Sequence, residues 1–379
     1  MYRRSILILL VVSILHTTGT MAETHSRKTE NTEHWNIRYD RFNTTFLDST
    51  KFIYKDLKSR PHAVDRWNGA AAIWCQATYY DMAISAYERA KREHDRKHAR
   101  QYKKFAQQLL DGCHRQYVDF NFDDCNINTG WFVYDDIMWW TCALARSYKV
   151  FGNKRDLEEA KRSFWRVWKG SEVVGDDGSY ADPARGLGGG MFWEWQPIDR
   201  PKPHRPGDFR AACINFPTVI AACRLQEIEG KQTEKYKAIE IYEWAHRTLV
   251  RNGRVADGIH NGGPEFNDHL YNQATYIGAS CMLYRQTQDS TYLHNACLAA
   301  DYVFHHMTDD HGLLRVETGP EQGIYCAIFA QYLHMLVYDF HQTQYLSLIQ
   351  RHIRAAQLLP SYDDSYTASG LPALMLMFP

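Results

Sequence analysis

The sequence has no surplus of either charge, no paired-cysteine or zinc-protease motif, no clear run of alternating strands, and no apolar run of bilayer length. Each absence removes a class of protein. Lys and Arg total 44 and Asp and Glu total 44, so the basic surface that a phosphate backbone demands is missing and nucleic acid is excluded as the main partner. The 18 histidines form no His-Glu-x-x-His, and His305-His306 are adjacent rather than a helical turn apart. No catalytic metal is expected. Nine cysteines (75, 113, 125, 142, 213, 223, 281, 297, 326) are scattered without a C-x-x-C, and an odd number cannot all pair within the chain. Most read as buried thiols, with one or two disulfides left open. Gly186-Leu187-Gly188-Gly189-Gly190 fails the dinucleotide fingerprint, because Met191 follows and no strand precedes. Asp176-Asp177-Gly178-Ser179-Tyr180-Ala181-Asp182 lacks EF-hand spacing and reads as a turn. No cofactor is expected.

What is present begins with an export signal. Arg3 and Arg4 precede an apolar run from Ile6 to Leu15, and Thr20-Met21-Ala22 offers a small-residue cleavage site. The run is too short to span a bilayer. Residues 1–22 are therefore expected to be removed. That leaves 23–379 as one exported domain, periplasmic or extracellular, without a membrane span and acting as a monomer. Residues 23–34 are polar and expected to fray, and the Asn43-Thr44-Thr45 sequon matters only in a glycosylating host.

Beyond that point the chain reads as helix after helix. Leu157, Ala160, Phe164 and Trp168 keep the i, i+3, i+4 rule, as do Leu293, Ala296, Cys297, Ala300, Phe304 and Met307. Twelve helices are expected, at about 36–58, 63–92, 96–117, 135–151, 153–169, 210–229, 232–251, 268–288, 290–307, 321–341, 343–359 and 366–377. A faint repeat links them: a tyrosine or similar residue ends one helix, a short polar turn follows, and another begins, as in Tyr284…Asp289-Ser290 and Tyr338…Thr343. Twelve helices in six hairpins predict an all-α (α/α)6 barrel, with an open superhelix as the alternative. The longest loops, 118–134, 170–209 and 252–267, each precede an even-numbered helix. Those helices would form an inner ring with their N-termini at one mouth, beside Trp67-Asn68, Asn215, Tyr271-Asn272-Gln273, Gln322-Gly323 and Ser365.

The stretch Phe132-Val133-Tyr134-Asp135-Asp136-Ile137-Met138-Trp139-Trp140 stands at that mouth. Helix capping accounts for one aspartate there. It does not account for two among Trp131, Tyr134, Trp139 and Trp140. Paired carboxyls beside aromatic platforms suit glycosidic bond cleavage, in which one carboxyl protonates the leaving oxygen and the other attacks or activates water. Asp123-Asp124 is a second pair, either a solvated turn or a rim contact to sugar hydroxyls. Trp193 and Trp195 read as stacking platforms or as ordinary packing. Asn272 and Gln273 read as hydroxyl ligands or as caps.

Tyr134-Asp135-Asp136-Ile137-Met138-Trp139-Trp140 resembles the Asp-Asp motif of glycoside hydrolase family 76, the endo-α-1,6-mannanase family. Gly188-Gly189-Gly190-Met191-Phe192-Trp193, Asn215-Phe216-Pro217, Asp257-Gly258, Tyr271-Asn272-Gln273 and Ala368-Ser369-Gly370-Leu371 fit it in order. The resemblance implies an (α/α)6 fold and a retaining mechanism on α-mannan, with Asp135 as nucleophile and Asp136 as general acid/base. It departs at Leu187, where the family often has Cys, at Ala274, where it often has Gly, and at Gln322-Gly323…Ala327, where it has Lys-Gly-x-x-x-Arg. Two other uses of the same barrel follow from this reading: transglycosylation through the same intermediate, and a barrel that holds mannan without cutting it. A sugar epimerase would need a proton-abstracting base, usually histidine, at the mouth, where acids and amides stand instead.

Overall fold

Burial sorts the helices of this computed structural model into two kinds. The structure describes residues 33–131, 133–230, 234–317, 319 and 321–379. The expected export signal, the polar stretch through residue 32, Phe132, Lys231 and the start of the expected helix 232–251 lie outside the described residues. In chain order the helices are α1 (Trp35–Phe46), α2 (Ile73–Arg92), α3 (Arg96–Gln116), α4 (Tyr134–Phe151), α5 (Lys154–Lys169) and α6 (Ala212–Glu229). Then come α7 (Ala238–Leu249), α8 (Leu270–Thr287), α9 (Ser290–His306), α10 (Tyr325–His334), α11 (Leu346–Ala356), the single turn α12 (Ser365–Ala368) and α13 (Gly370–Met377). Every residue of α4 from Tyr134 to Ala145 is buried, and every residue of α6 from Ala212 to Gln226. Such helices have neighbours on all sides. By contrast α5 buries one stripe through Asp156, Glu159, Ala160, Ser163, Phe164 and Val167, leaving a charged face to solvent.

The buried helices close a ring. α2 packs on α4, α4 on α6, α6 on α8, α8 on α10, α10 on α13, and α13 back on α2. Around them α3, α5, α7 and α9 each pack against the inner helix that precedes them, while α1 and α11 cover α13. This is the expected (α/α)6 barrel. Close approach of α8 and α10 depends on Gly278, where an added Cβ would stand 2.3 Å from the Tyr332 ring. Residues 33–379 form one compact unit. Among the described residues no helix is long and apolar enough to cross a membrane.

Several expected boundaries shift. The expected helix 36–58 ends at Phe46 and gives way to a hairpin, β1 (Leu47–Asp48) with β2 (Ile53–Tyr54), and the expected 63–92 starts only at Ile73. Buried Asp48 makes this turn, accepting from the N–H groups of Thr50, Lys51 and Ala63. Expected helix 210–229 begins as a strand, β3 (Arg210–Ala211). A second hairpin pairs β4 (Val250–Arg251) with β5 (Arg254–Val255), and β3 joins β6 (Gly258–His260) and β7 (Gly263–Glu265) in an antiparallel sheet ordered β3-β6-β7. Strands of two or three residues are too short to show an alternating pattern. All nine cysteines are unpaired. Asn43 of the sequon is buried and accepts the Tyr54 hydroxyl at 2.6 Å.

Candidate active site

The inner helices run in one sense. α2, α4, α6, α8 and α10 place Trp74, Asp135, Cys213, Tyr271 and Tyr325 from their first turns around a groove of about 380 Å³. Val133, in extended conformation, is the N-cap of α4, so Asp135 and Asp136 sit in the first turn rather than at the cap. There the exposed N–H groups and the helix dipole favour negative charge. Depth opposes it, since Asp135 is 8% and Asp136 2% exposed.

A short ion network reaches this pair from the loop before α2. Arg66 Nη1 lies 3.2 Å from Asp136 Oδ2, and Arg66 Nη2 donates to both Glu321 carboxylate oxygens at 3.1 Å. Trp74 Nε1 donates to Glu321 Oε2 at 2.7 Å. Burial pushes the Asp136 carboxyl up to about 7, with Arg66 drawing it down and Glu321 driving it up. Burial also raises Asp135 well above the carboxylate range. Repulsion from Asp136 adds to this, while the Cys213 thiol and Arg66 act against it. Burial works against the Arg66 charge, yet Asp136 and Glu321 hold that guanidinium protonated. The pair therefore retains one proton near neutrality, which is the state that acid-assisted bond cleavage uses.

Aromatic rings make the groove floor. Tyr271 and Tyr325 stack at 3.9 Å and 6°, Tyr271 faces Trp139 at 6.4 Å and 20°, and Trp139 meets Trp74 at 5.8 Å. The indole nitrogens of Trp139 and Trp193 are buried without hydrogen-bond partners, so two donors in the groove wall stand unused. Trp193 is carried by the 188–190 glycine run. Each of those glycines has positive φ, and a Cβ on Gly190 would stand 2.3 Å from the Trp244 ring. Asn215 pins this loop to α6. Its amide accepts from Met191 N at 2.9 Å and donates to the Met191 and Ala211 carbonyls. Trp193 then donates its N–H to Phe209 and accepts from Tyr134 N, which satisfies a free donor at the start of α4.

A family model for glycosyl hydrolase family 76 matches residues 40–368. The chain belongs to that family. Solved family 76 structures share the fold. The GH76A α-1,6-mannanase of Salegentibacter sp. HEL1_6 is 22% identical, covering 90% of this chain and 97% of that one with a TM-score of 0.71. An inactive variant of that enzyme, with two consecutive aspartates changed to asparagine, forms a complex with α-1,6-mannotriose. The Lin0763 protein from Listeria innocua superposes similarly (23% identity, 91% and 96% coverage, TM-score 0.72). Dfg5 from Chaetomium thermophilum, in complex with glucosamine, is more distant (11% identity, 90% and 87% coverage, TM-score 0.63). No curated protein sequence matches the chain.

Of the residues expected in this family 76 site, Asp135, Asp136, Trp139, Trp193 and Tyr271 line the groove. Others stand behind it. Tyr134 turns away and donates to Asp176 Oδ2 at 2.5 Å, Trp195 is fully buried against the Tyr134 ring, and Arg166 lies over Trp195. Arg166 also holds Asp123 at 2.7 Å, while Asp124 closes its own turn by accepting from Asn126 N. Tyr134, Trp195, Asp123 and Asp124 are scaffold: Asp123, Asp176 and the Trp195 ring surround the buried Arg166 charge, and Tyr134 holds Asp176. Asn215 is the loop anchor described above. Asn272 donates to Asp257 Oδ1 at 2.9 Å and steadies a carboxylate that does line the groove. The Gln273 amide bridges Gly253 O and Val255 N at 2.8 and 2.9 Å, which holds the β4–β5 hairpin. The departures Leu187, Ala274 and Ala327 are all buried outside the groove lining. Sequence alone does not mark Arg66, Trp74, Glu194, Glu321 and Tyr325, and it marks Asp257 as part of a motif without giving it a site role. Two stand one step from residues it does mark: Arg66 precedes Trp67-Asn68, and Glu321 precedes Gln322-Gly323. Among the described residues no cluster of three His, Cys, Asp or Glu is arranged to hold a metal.

Proposed function

We propose that this glycoside hydrolase is an exported, retaining endo-α-1,6-mannanase. The observation that carries the proposal is the buried pair Asp135 and Asp136, at the start of an inner helix over an aromatic groove. Its support is the likeness of the chain to an α-1,6-mannanase that two consecutive aspartate replacements inactivate. Asp135 attacks the anomeric carbon while Asp136 protonates the leaving oxygen. In the second step Asp136 removes a proton from water, which displaces Asp135 and releases the sugar with its configuration retained. Burial disfavours charge on Asp135 in the free protein. The positive charge that develops on the sugar in the transition state favours it, so the shared proton resides on Asp136 when it is needed. Trp139, Trp193 and Tyr271 supply faces and N–H donors to successive mannoses. The buried positions of Leu187, Ala274 and Ala327 count against a barrel that binds mannan without cutting it.

The test is digestion of linear α-1,6-mannan by the 23–379 protein, with the first anomer read by NMR. Azide rescue of alanine variants then separates the two roles. Asp135→Ala is expected to give the inverted β-mannosyl azide and Asp136→Ala the retained α product. The opposite pattern would reverse the roles, and an intact polymer would reject the substrate assignment.

A further inference from the structure

Ten of the eleven tryptophans are buried or half-buried; among the described residues Trp67 alone is exposed, at 55%. Exposure does not leave it loose. Asp65 Oδ1 accepts from both Trp67 N and Asn68 N at 2.9 Å, which locks the turn. The Trp67 indole N–H donates to Ile127 O at 3.2 Å, and the Arg66 N–H donates to Asn128 O at 3.2 Å, so two adjacent carbonyls hold the Arg66-Trp67 segment. Ile127, whose carbonyl takes the indole bond, is 49% exposed, and Val64, three residues before Trp67, is 52% exposed. Packing leaves more than half of this residue exposed, although backbone satisfies the indole's only polar atom and Arg66 lies over the ring.

The position of the ring says what it binds. The Arg66 guanidinium carbon lies 5.5 Å from the Trp67 ring centre, and the same guanidinium contacts Asp136 at 3.2 Å. The indole thus stands against a residue of the groove lining without lining the groove itself. We propose that Trp67, backed by Ile127, is a distal sugar subsite. There a pyranose of the same polymer chain, outside the groove, stacks its C–H face on the indole. Because the ring is held before binding, little ordering entropy is lost when the sugar lands. This inference rests on the mannanase reading and deepens it, since a distal platform rewards long chains over short ones.

The experiment compares wild-type, Trp67→Ala and Trp67→Phe proteins on α-1,6-mannohexaose and α-1,6-mannotriose. Each kcat/KM is measured across pH, and hexaose and triose binding is followed by titration calorimetry. For Trp67→Ala the hexaose-to-triose ratio of kcat/KM is expected to fall about tenfold, equivalent to the loss of about 1.4 kcal/mol, with the pH profile unmoved and Phe restoring most of the ratio. An unchanged ratio overturns the subsite. So does an equal loss on both sugars with a shifted pH profile, which would make Trp67 a prop for Arg66. Wild-type protein that cuts mannotriose and mannohexaose keeps the mannanase reading whatever the ratio does. Wild-type protein that neither cuts nor binds them rejects that reading and the subsite together.

Discussion

Asp136 sets the pH behaviour of this site. Its carboxyl is held at about 7 against an ordinary 3.8, with burial as the main cause and Arg66 as the restraint. With Asp135 raised further, the pair passes from two protons to the one that catalysis needs as pH rises through that value, so kcat/KM is expected to decline below about pH 7. Arg66→Met removes the restraint and leaves Glu321 uncompensated, and both changes raise the Asp136 pKa. The acid limb should move up by about one pH unit or more, read from kcat/KM between pH 5 and 9. A limb that moves down would show that Arg66 does not control this proton. The raised carboxyl bears on stability too. Between 3.8 and about 7 the folded state binds more protons than the unfolded chain, so stability falls as pH climbs through that window, by at most about 1.4 kcal/mol for each pH unit crossed. Asp136→Asn, which cannot ionise, should unfold at least about 2–4 °C higher than wild type at pH 8. The gap should close near pH 4, while turnover falls about 10²–10⁴-fold.

At the scale of elements, the loop that delivers Trp193 depends on one amide. Asn215 satisfies three buried main-chain groups, at Met191 N, Met191 O and Ala211 O. Asn215→Ala would strand all three. The expected loss is about 2–4 kcal/mol, with KM for mannan raised because the Trp193 donor is no longer held, and denaturant unfolding beside Michaelis kinetics checks both. Sequence shows Asn215 at the mouth but not its direction, because a helix-start asparagine reads equally as ligand or clasp. Tyr134 and Trp195 carry the same ambiguity. Sequence counts Tyr134 among the sugar contacts and reads Trp195 as platform or packing; Tyr134 instead donates to Asp176, an ion partner of Arg166, and Trp195 lies under the Arg166 guanidinium.

Across the whole molecule, charge follows helix polarity. Acids gather where the inner helices begin: Asp135, Asp136, Asp257 and Glu321 all line the groove. At the opposite end a cavity of about 640 Å³ is lined by Arg89, Arg92, Arg146, Arg224 and Arg285, where α2, α4, α6 and α8 end, with Glu88, Glu93, Glu227 and Asp339 set among them. Arg224 donates to the Cys142 carbonyl at 2.7 Å and Arg146 bridges Asp81 and Glu88. Cations there complement the negative helix ends. Arg146→Met is expected to lower stability by about 3–5 kcal/mol while leaving kcat per folded molecule unchanged, measured by urea unfolding beside active-site titration.

The helix count, the ring and the aspartate pair are legible in sequence because apolar period, loop length and a local acidic-aromatic motif are properties of neighbouring residues. Fully buried inner helices and striped outer ones follow from composition within each segment. What the sequence cannot contain is direction. Whether Trp193 or Trp195 faces the groove, and whether Asp123 meets a sugar or Arg166, is decided by which buried charge each side chain must satisfy. Arg66 and Glu321 are 255 residues apart and belong to one network only because the ring closes. Closure also sets the Asp136 proton, since a pKa responds to depth and to charges that only the folded chain brings within reach.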